Sequence, residues 1–238
     1  MANITPEDAF LNDYDPAAFD RPSVAVDLVL LGIHAGRLSA LLVERDQPPQ
    51  AGRWALPGGF VGIEESLDAA AIRVLRDKAG LADAHLEQLY TFGAIDRDPR
   101  MRVVSVAYLA LLTEDAVAPA STGARITPAA IDGDPLVATR ADGEDLPLAF
   151  DHAAILTRAR DRLRGKIDYS DIAFAFLPPA FTLRALQEVH EAVLGTRLNK
   201  PAFRRRMLDR VVGGRRLVAT GMREADASHR PAELFRLA

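Results

Sequence analysis

"GFVGIEESLDAAAIRVLRDKAGL", Gly59 to Leu81, is the stretch from which the rest of the chain is read. Ser66 is a good helix N-cap, Gly80 suits the left-handed position that ends a helix, and nothing between them is proline or glycine. A helix of about four turns follows. Ile72, Leu75 and Ala79, at i, i+3 and i+7, form an apolar stripe for a core. Positions 74, 77 and 78 share a face through i, i+3 and i+4 spacing, and they hold Val74, Asp77 and Lys78.

The frame around this helix resembles the Nudix box: a glycine, five residues, a glutamate, seven residues, then Arg-Glu-apolar-x-Glu-Glu-x-Gly-apolar. Gly59, Glu65, Arg73, Leu75, Gly80 and Leu81 fall in register, and "RWALPGGF" (Arg53 to Phe60) stands immediately upstream. The family's glutamates after the arginine are replaced by Val74, Asp77 and Lys78. In Nudix enzymes that face, with the glutamate before the helix, offers carboxylates to Mg²⁺, a hard ion that takes oxygen ligands and activates a diphosphate. A lysine is compact, cationic and a donor only. Lys78 therefore repels a metal and is expected to pair with Glu65 or Asp77. The resemblance implies the Nudix frame without catalytic residues and without a bound metal.

The chain has 238 residues, enough for one large domain or two small ones. Residues 1–150 hold 12 Lys+Arg and 23 Asp+Glu, a net of −11, and residues 151–238 hold 17 and 10, a net of +7. An acidic majority thus carries a basic C-terminal third. Cysteine is absent, which excludes disulfides, thiolate metal sites and cysteine nucleophiles. The five histidines are scattered, with no HxxxH pairing that would suggest zinc. The start, "MANITPEDAFLNDYDPAAFDR", is acidic and lacks an apolar core of the signal-peptide kind, and no later run offers 18 uninterrupted apolar residues. A soluble, cytoplasmic protein with no membrane partner is expected.

"PSVAVDLVLLGI" and "RLSALLVER" predict strands joined by the turn "HAG", and "LEQLYTFGAI" and "RVVSVAYLALL" predict a second pair. From Glu114 to Pro147 the chain is rich in Ala, Pro, Gly, Asp and Thr, with "LVATR" its only strand-like run. A division into residues 1–148 and 149–238 is expected.

Beyond it the pattern turns helical. "DHAAILTRARDRLRGKI" spaces Ile155, Ala159, Leu163 and Ile167 four apart. "FTLRALQEVHEAVLG" has Thr182 as N-cap, Leu183, Leu186, Val189 and Val193 as apolar stripe, and Gly195 as stop. In "NKPAFRRRMLDR" Asn199 caps, Pro201 opens the helix, and Phe203 and Met207 point to a core. "VVGGRRLVATG" predicts a hairpin with two arginines at or just after its Gly-Gly tip, and "RPAELFRL" a last strand. Helix, short turn, helix, basic hairpin is the order of a winged helix-turn-helix. Arg197 to Arg216 contains eight Lys/Arg and a single acid, Asp209. A charge run alone is usually a solvated face; here the charges fall where such folds touch DNA. Thr182, Arg184, Asn199, Lys200, Arg204, Arg205, Arg206, Arg215 and Arg216 are the candidate DNA contacts. Arginine serves guanine edges and phosphates alike, so which of them read bases stays open.

A Nudix frame followed by "LAFDHAAILTRARDRLRGKIDYS", "FTLRALQEVHEAVLG", "FRRRM" and "RPAELFRL", in that order, resembles the Nudix-related transcriptional regulators of NAD metabolism (NrtR). The resemblance runs from about Arg21 to Leu237. It implies an α+β chain, a Nudix-type α/β/α sandwich followed by a winged helix. It also implies a homodimeric repressor of NAD biosynthesis or salvage genes that binds double-stranded operator DNA. ADP-ribose or a related nucleotide is the implied effector, with no cofactor required. "GAIDRDPRMRVVSVAYLALL" looks like the loop and strand that border the ligand in that family. Candidate ligand residues are Arg53, Trp54, Gly58, Gly59, Phe60, Glu65, Arg73, Arg97, Arg100 and Arg102; in the alternative, Arg73 only locks Glu65 and Trp54 is core. A sensor that hydrolysed its effector would consume its own signal, which gives the altered metal face a reason. The competing expectations are a residual Mg²⁺-dependent ADP-ribose pyrophosphatase using Glu65 and Asp77, and an RNA-binding or protein-docking basic third.

Overall fold

The computed structural model describes residues 5–82, 84–120, 125–224 and 231–238. In chain order the elements are α1 (Pro6–Asp13), β1 (Ser23–His34), β2 (Arg37–Glu44), β3 (Trp54–Ala55), β4 (Gly58–Phe60), α2 (Leu67–Ala79), β5 (Glu87–Phe92), β6 (Val103–Leu112), α3 (Glu114–Ala120), β7 (Ile126–Asp132), β8 (Val137–Thr139) and α4 (His152–Lys166). Then follow β9 (Phe181–Thr182), α5 (Leu183–Leu194), α6 (Lys200–Asp209), β10 (Val211–Val212), β11 (Arg215–Arg223) and β12 (Glu233–Leu237). The first four residues and Arg230, which opens the expected last strand, lie outside the described residues.

β1 to β8 build one mixed sheet in the order β5-β6-β1-β2-β7-β8, with β3 on β2 and β4 on β1. Its centre is the parallel β1–β6 pair, Ser23 to Gly32 opposite Val103 to Leu112. Because side chains alternate along a strand, β1 feeds two cores at once. Val26, Leu28 and Leu30 pack with Ala70, Ala71, Val74 and Leu75 of α2. Val29 and Leu31 pack on the other face with Ile155, Leu156, Ala159 and Leu163 of α4. The sheet is thus enclosed between helices, as the sandwich expectation has it.

α2 starts and stops where its caps predict: the Ser66 hydroxyl accepts from Ala69 N at 3.1 Å, and Gly80 takes a φ of +68°. Its stripe needs a correction. Ile72 is 42% exposed and Val74 only 1%, so the buried set is Ala70, Ala71, Val74, Leu75 and Ala79. The expected linker also holds more order than its composition implied. "ITPAAID" forms β7 against β2, and α3 precedes it. Small side chains (Ala129, Ala138) fill much of that part of the core, so burial there leaves little trace in hydrophobicity, and a proline, Pro128, lies within the strand.

The basic third forms β9, α5, α6 and a small sheet ordered β10-β11-β12-β9. Thr182 Oγ1 caps α5 by accepting from Ala185 N at 3.0 Å, and Asn199 Oδ1 caps α6 by accepting from Ala202 N at 3.0 Å. Gly213 and Gly214, with φ of +56° and +78°, turn β10 into β11. Leu186, Val189, Phe203 and Met207 belong to the same core as α4 and the sheet. α4 therefore touches the sheet and the helix pair through one continuous apolar body.

Candidate functional site

Asp27 is an acid inside an otherwise apolar strand, and its surroundings define the first site. Its carboxylate accepts from Ser105 Oγ and lies 3.3 Å from an Arg97 nitrogen. Arg97 donates through Nε and Nη2 to both Asp151 oxygens, at 2.9 and 2.8 Å. Burial opposes the charge on Arg97, but the Asp151 hydrogen bonds and the Asp27 charge outweigh it and hold the guanidinium above its ordinary value. His152 Nδ1 accepts from Leu56 N at 2.9 Å. That bond leaves its proton on Nε2, which lies 3.7 Å from Asp27. Burial pushes the imidazole below its usual value despite the carboxylates nearby.

These groups line a cavity of about 240 Å³ with Arg45, Gly58, Gly59, Phe60, Asp98, Arg100 and Phe150. Gly58 is needed there, since a Cβ would fall 2.3 Å from an Asp27 oxygen. Arg100 is held by Asp98 at 2.8 Å and lies 5.5 Å over the half-exposed Phe60 ring. Burial first, and then the charge of Arg100, draw Arg45 below the ordinary arginine value. An arginine stays charged all the same, so the lining sets three arginines, Arg45, Arg97 and Arg100, against two aspartates, Asp27 and Asp98. An adjoining cavity of about 250 Å³ shares Arg45, Ala55, Leu56 and Gly58 and has Lys78 on its wall. Together they offer about 490 Å³, a size for a small organic ligand. Crevices of about 610 to 740 Å³ lie beside α2 and between the sheet and the basic third. They are larger, but none gathers arginines with buried partners as this one does.

Of the sequence candidates, Gly58, Gly59, Phe60, Arg97 and Arg100 come together in this wall. The others serve the frame. Trp54 is 7% exposed in the core with Arg140 over its ring, and Arg53 donates to Leu148 O at 3.2 Å. Arg102 donates to Ala94 O at 2.8 Å and so holds the loop that carries Arg97 and Arg100. Arg73 grips Glu65 through two 2.7 Å bonds, and among the described residues Lys78 pairs with neither Glu65 nor Asp77, which corrects the expectation of one or the other. These bonds, with a third from Gly62 N, hold the Glu65 carboxyl down at about 2. Arg45, Asp27, Asp98, Phe150, Asp151 and His152 were not foreseen. Asp27, an acid within the apolar run "SVAVDLVLL", is the signal of them that the sequence carries.

The box does not suit Mg²⁺. Both Glu65 oxygens are taken by Arg73, Val74 is buried in the α2 core, and Lys78 is exposed beside Asp77. Among the described residues no three His, Asp or Glu side chains gather as metal ligands.

The second site is α6. Lys200, Arg204 and Arg205 are exposed and lack a carboxylate partner among the described residues, as does Arg216 on β11. Arg206 lies 3.3 Å from Asp168, and Arg184 pairs with Glu188 at 2.9 Å. Arg215 is bound to Asp171. Thr182 is 7% exposed and spent on its cap. Asn199 likewise spends its side-chain oxygen on a cap. The connection from β11 to β12 includes residues 225–230, which lie outside the described residues.

A helix-flanked sheet with a ligand-sized cationic cavity, joined through one helix to a winged helix, defines a two-part class of sensing and DNA-reading proteins. The comparisons agree on both parts. The NUDIX domain model matches residues 21–132, and the NrtR DNA-binding winged helix domain matches residues 173–237. The chain is 36% identical over 238 residues to the ADPR responsive transcriptional repressor NtrR of Acinetobacter baylyi, covering 99% of this chain and 90% of that one. Shewanella oneidensis NrtR complexed with a 27mer DNA is 35% identical with a TM-score of 0.72, covering 90% of this chain and 93% of the other. The NUDIX domain of that protein, complexed with ADP ribose, is 32% identical with a TM-score of 0.50, covering 67% and 99%. An ADP-ribose pyrophosphatase of Methanocaldococcus jannaschii is 36% identical over 88 residues, 37% of this chain and 50% of that one. The chain belongs to the NrtR family. Among the described residues no helix is long and apolar enough to cross a membrane.

Proposed function

We propose that this protein is a transcriptional repressor of NAD biosynthesis or salvage genes that binds operator DNA as a homodimer and senses ADP-ribose or a related nucleotide. Residues 1–148 do the sensing and residues 149–238 the reading. The observation that carries this is the pairing of two arginine-bearing sites: a cavity lined by Arg45, Arg97 and Arg100, and an exposed helix whose Arg204 and Arg205 have no carboxylate partner among the described residues. The relatives that cover nearly all of the chain are named as an ADPR-responsive repressor and a DNA-bound regulator.

In the sensing half, Arg100 and Arg45 attract the diphosphate, the Gly58–Gly59 backbone lets it approach, and the Phe60 ring supplies a face for the base. In the reading half, α6 enters the major groove, with Lys200, Arg204 and Arg205 on phosphates or guanine edges. The protein is a sensor and not a hydrolase. The altered box keeps a carboxylate, Asp77, at only one of the family's three glutamate positions, and Lys78 supplies positive charge beside the cavity.

The test is titration of duplex from the protein's own upstream region, with and without ADP-ribose, followed by incubation of ADP-ribose with protein and Mg²⁺. Sequence-dependent binding, altered by ADP-ribose, with no AMP released, is expected. Turnover of roughly 1 s⁻¹ or faster would overturn the sensor reading in favour of the pyrophosphatase.

A further inference from the structure

Two of the residues that join the two halves, Phe150 and His152, also line the cavity. Phe150, Asp151 and His152 head α4, and four contacts from the sheet domain hold them. Gln50 Oε1 accepts from Phe150 N at 2.8 Å, and the Arg45 guanidinium lies 4.7 Å over the Phe150 ring. Arg97 grips both Asp151 oxygens, and Leu56 N donates to His152. Arg45, Leu56, Arg97, Phe150 and His152 all line the cavity. Phe150 is held at a φ of +52°, a left-handed conformation uncommon for an aromatic residue, so the junction depends on these contacts.

Asp151 has a second use open to it. It stands at the N-cap of α4, where an aspartate normally accepts from its own helix, yet its side chain makes no such bond. Its carboxylate faces Arg97 instead. If Arg97 is engaged elsewhere, the α4 amides are an alternative partner two or three residues away.

We propose that the ligand's anionic group takes Arg97 from Asp151, that the freed carboxylate turns to cap α4, and that this exchange is the signal passed to the DNA-reading helices. This rests on the effector reading given above. In both arrangements Arg97 and the Asp151 carboxylate each have a polar partner, which is what a two-state element requires. The route onward is physical: Ile155, Leu156, Ala159 and Leu163 of α4 share one core with Leu186 and Val189 of α5 and Phe203 and Met207 of α6. Asp151 is thus a positioning residue that competes with the ligand in its absence.

Asp151→Asn in the full-length protein tests this, since asparagine still caps a helix but grips an arginine weakly. ADP-ribose should bind the variant tighter by about threefold or more, because the internal competitor is gone. Operator affinity of the variant should already stand near the value the wild type reaches at saturating ADP-ribose, and added ligand should change it by less than about twofold. A variant whose ligand affinity and ligand-driven shift in operator affinity equal those of the wild type overturns the proposal. A second readout needs no variant. Trp54 is the only tryptophan, and its carbonyl accepts from Ala149 N at 2.8 Å, one residue before the junction. Its emission in the wild type should change as ADP-ribose saturates, and an unchanged emission overturns the exchange. If the wild type binds no ADP-ribose, the effector reading fails by itself, and inorganic pyrophosphate becomes the probe. Tighter pyrophosphate binding by the variant supports the exchange; equal or absent binding overturns it.

Discussion

Arg97, in the wall of the cavity, has a side chain 6% exposed and shares its guanidinium between Asp151 and Asp27. Arg204 and Arg205, on α6, are exposed and have no carboxylate partner among the described residues. The same side chain meets opposite physics in the two places. A buried guanidinium must bring its counter-charge with it, because leaving water is costly for an unpaired ion. An exposed one stays hydrated and keeps its charge available for a phosphate. The buried site can respond to a ligand only by exchanging partners, whereas the exposed one binds by adding a partner.

The largest expected effect follows from the buried member. Arg97→Ala strands the buried Asp27 and leaves the half-buried Asp151 unpaired, and breaking a buried pair from one side costs about 3–5 kcal/mol. Urea unfolding should show that loss in the midpoint, while Arg204→Ala and Arg205→Ala leave the midpoint unchanged. If Arg97→Ala is as stable as the wild type, the two sites do not differ as described.

The exposed member governs DNA. A substitution at Arg204 or Arg205 that removes a guanine contact should cost about 1–3 kcal/mol per half-site and relax one base pair, and one that removes a phosphate contact should lower the salt slope by about one. Arg206→Ala and Arg215→Ala should cost less, since each now holds an acid, Asp168 or Asp171. Equal losses at all four positions, measured by operator titration at several salt concentrations, would show that these ion pairs do not reserve the side chains.

Gly58→Ala tests how closely the backbone approaches the buried charge. Its Cβ would meet Asp27 Oδ1 at 2.3 Å and Val26 O at 3.0 Å, so a loss of about 1–3 kcal/mol is expected, with weaker ligand binding. Calorimetry and ligand titration on the same sample check both.

The smallest effects are in pH. Burial depresses the His152 imidazole, so below its ordinary value of 6.5 the unfolded chain takes up a proton that the folded one refuses. Stability present above that pH should decline as the pH falls, and His152→Asn should flatten part of the slope. His190 acts in the same direction. Glu65, held at about 2 against an ordinary 4.5, contributes only above that range and loses its share as pH falls from 4.5 towards 2. Since it sits at the surface, its part of an acid-unfolding curve should shrink in salt, while that of His152 should persist.

Local chemistry was written plainly in the chain. Ser66, Thr182 and Asn199 mark helix starts, Gly80 and Gly195 mark ends, and each does so through groups within a few residues of itself. The register of the box, the strand pairs around Ala35–Gly36 and the basic face of α6 are legible for the same reason. Periodicity and caps are short-range. β7 was not legible, because its burial rests on alanines and on pairing with a strand some ninety residues earlier. Of the wall of the cavity, the family resemblance reached Gly58, Gly59, Phe60, Arg97 and Arg100 but not the charge partners around them. Asp27, Arg45, Arg97 and Asp151 lie on four different segments, and nothing in their spacing announces that they meet. Which arginines are spent on acids and which stay free is likewise a matter of neighbours: Arg215 and Arg216 are adjacent in the chain, yet only Arg215 faces Asp171. Caps and strongly periodic elements can be read from the chain alone, since they depend on nearby atoms. The tertiary structure decided the partner of each charge, because a buried ion's state is set by whatever the fold brings within a few ångströms of it.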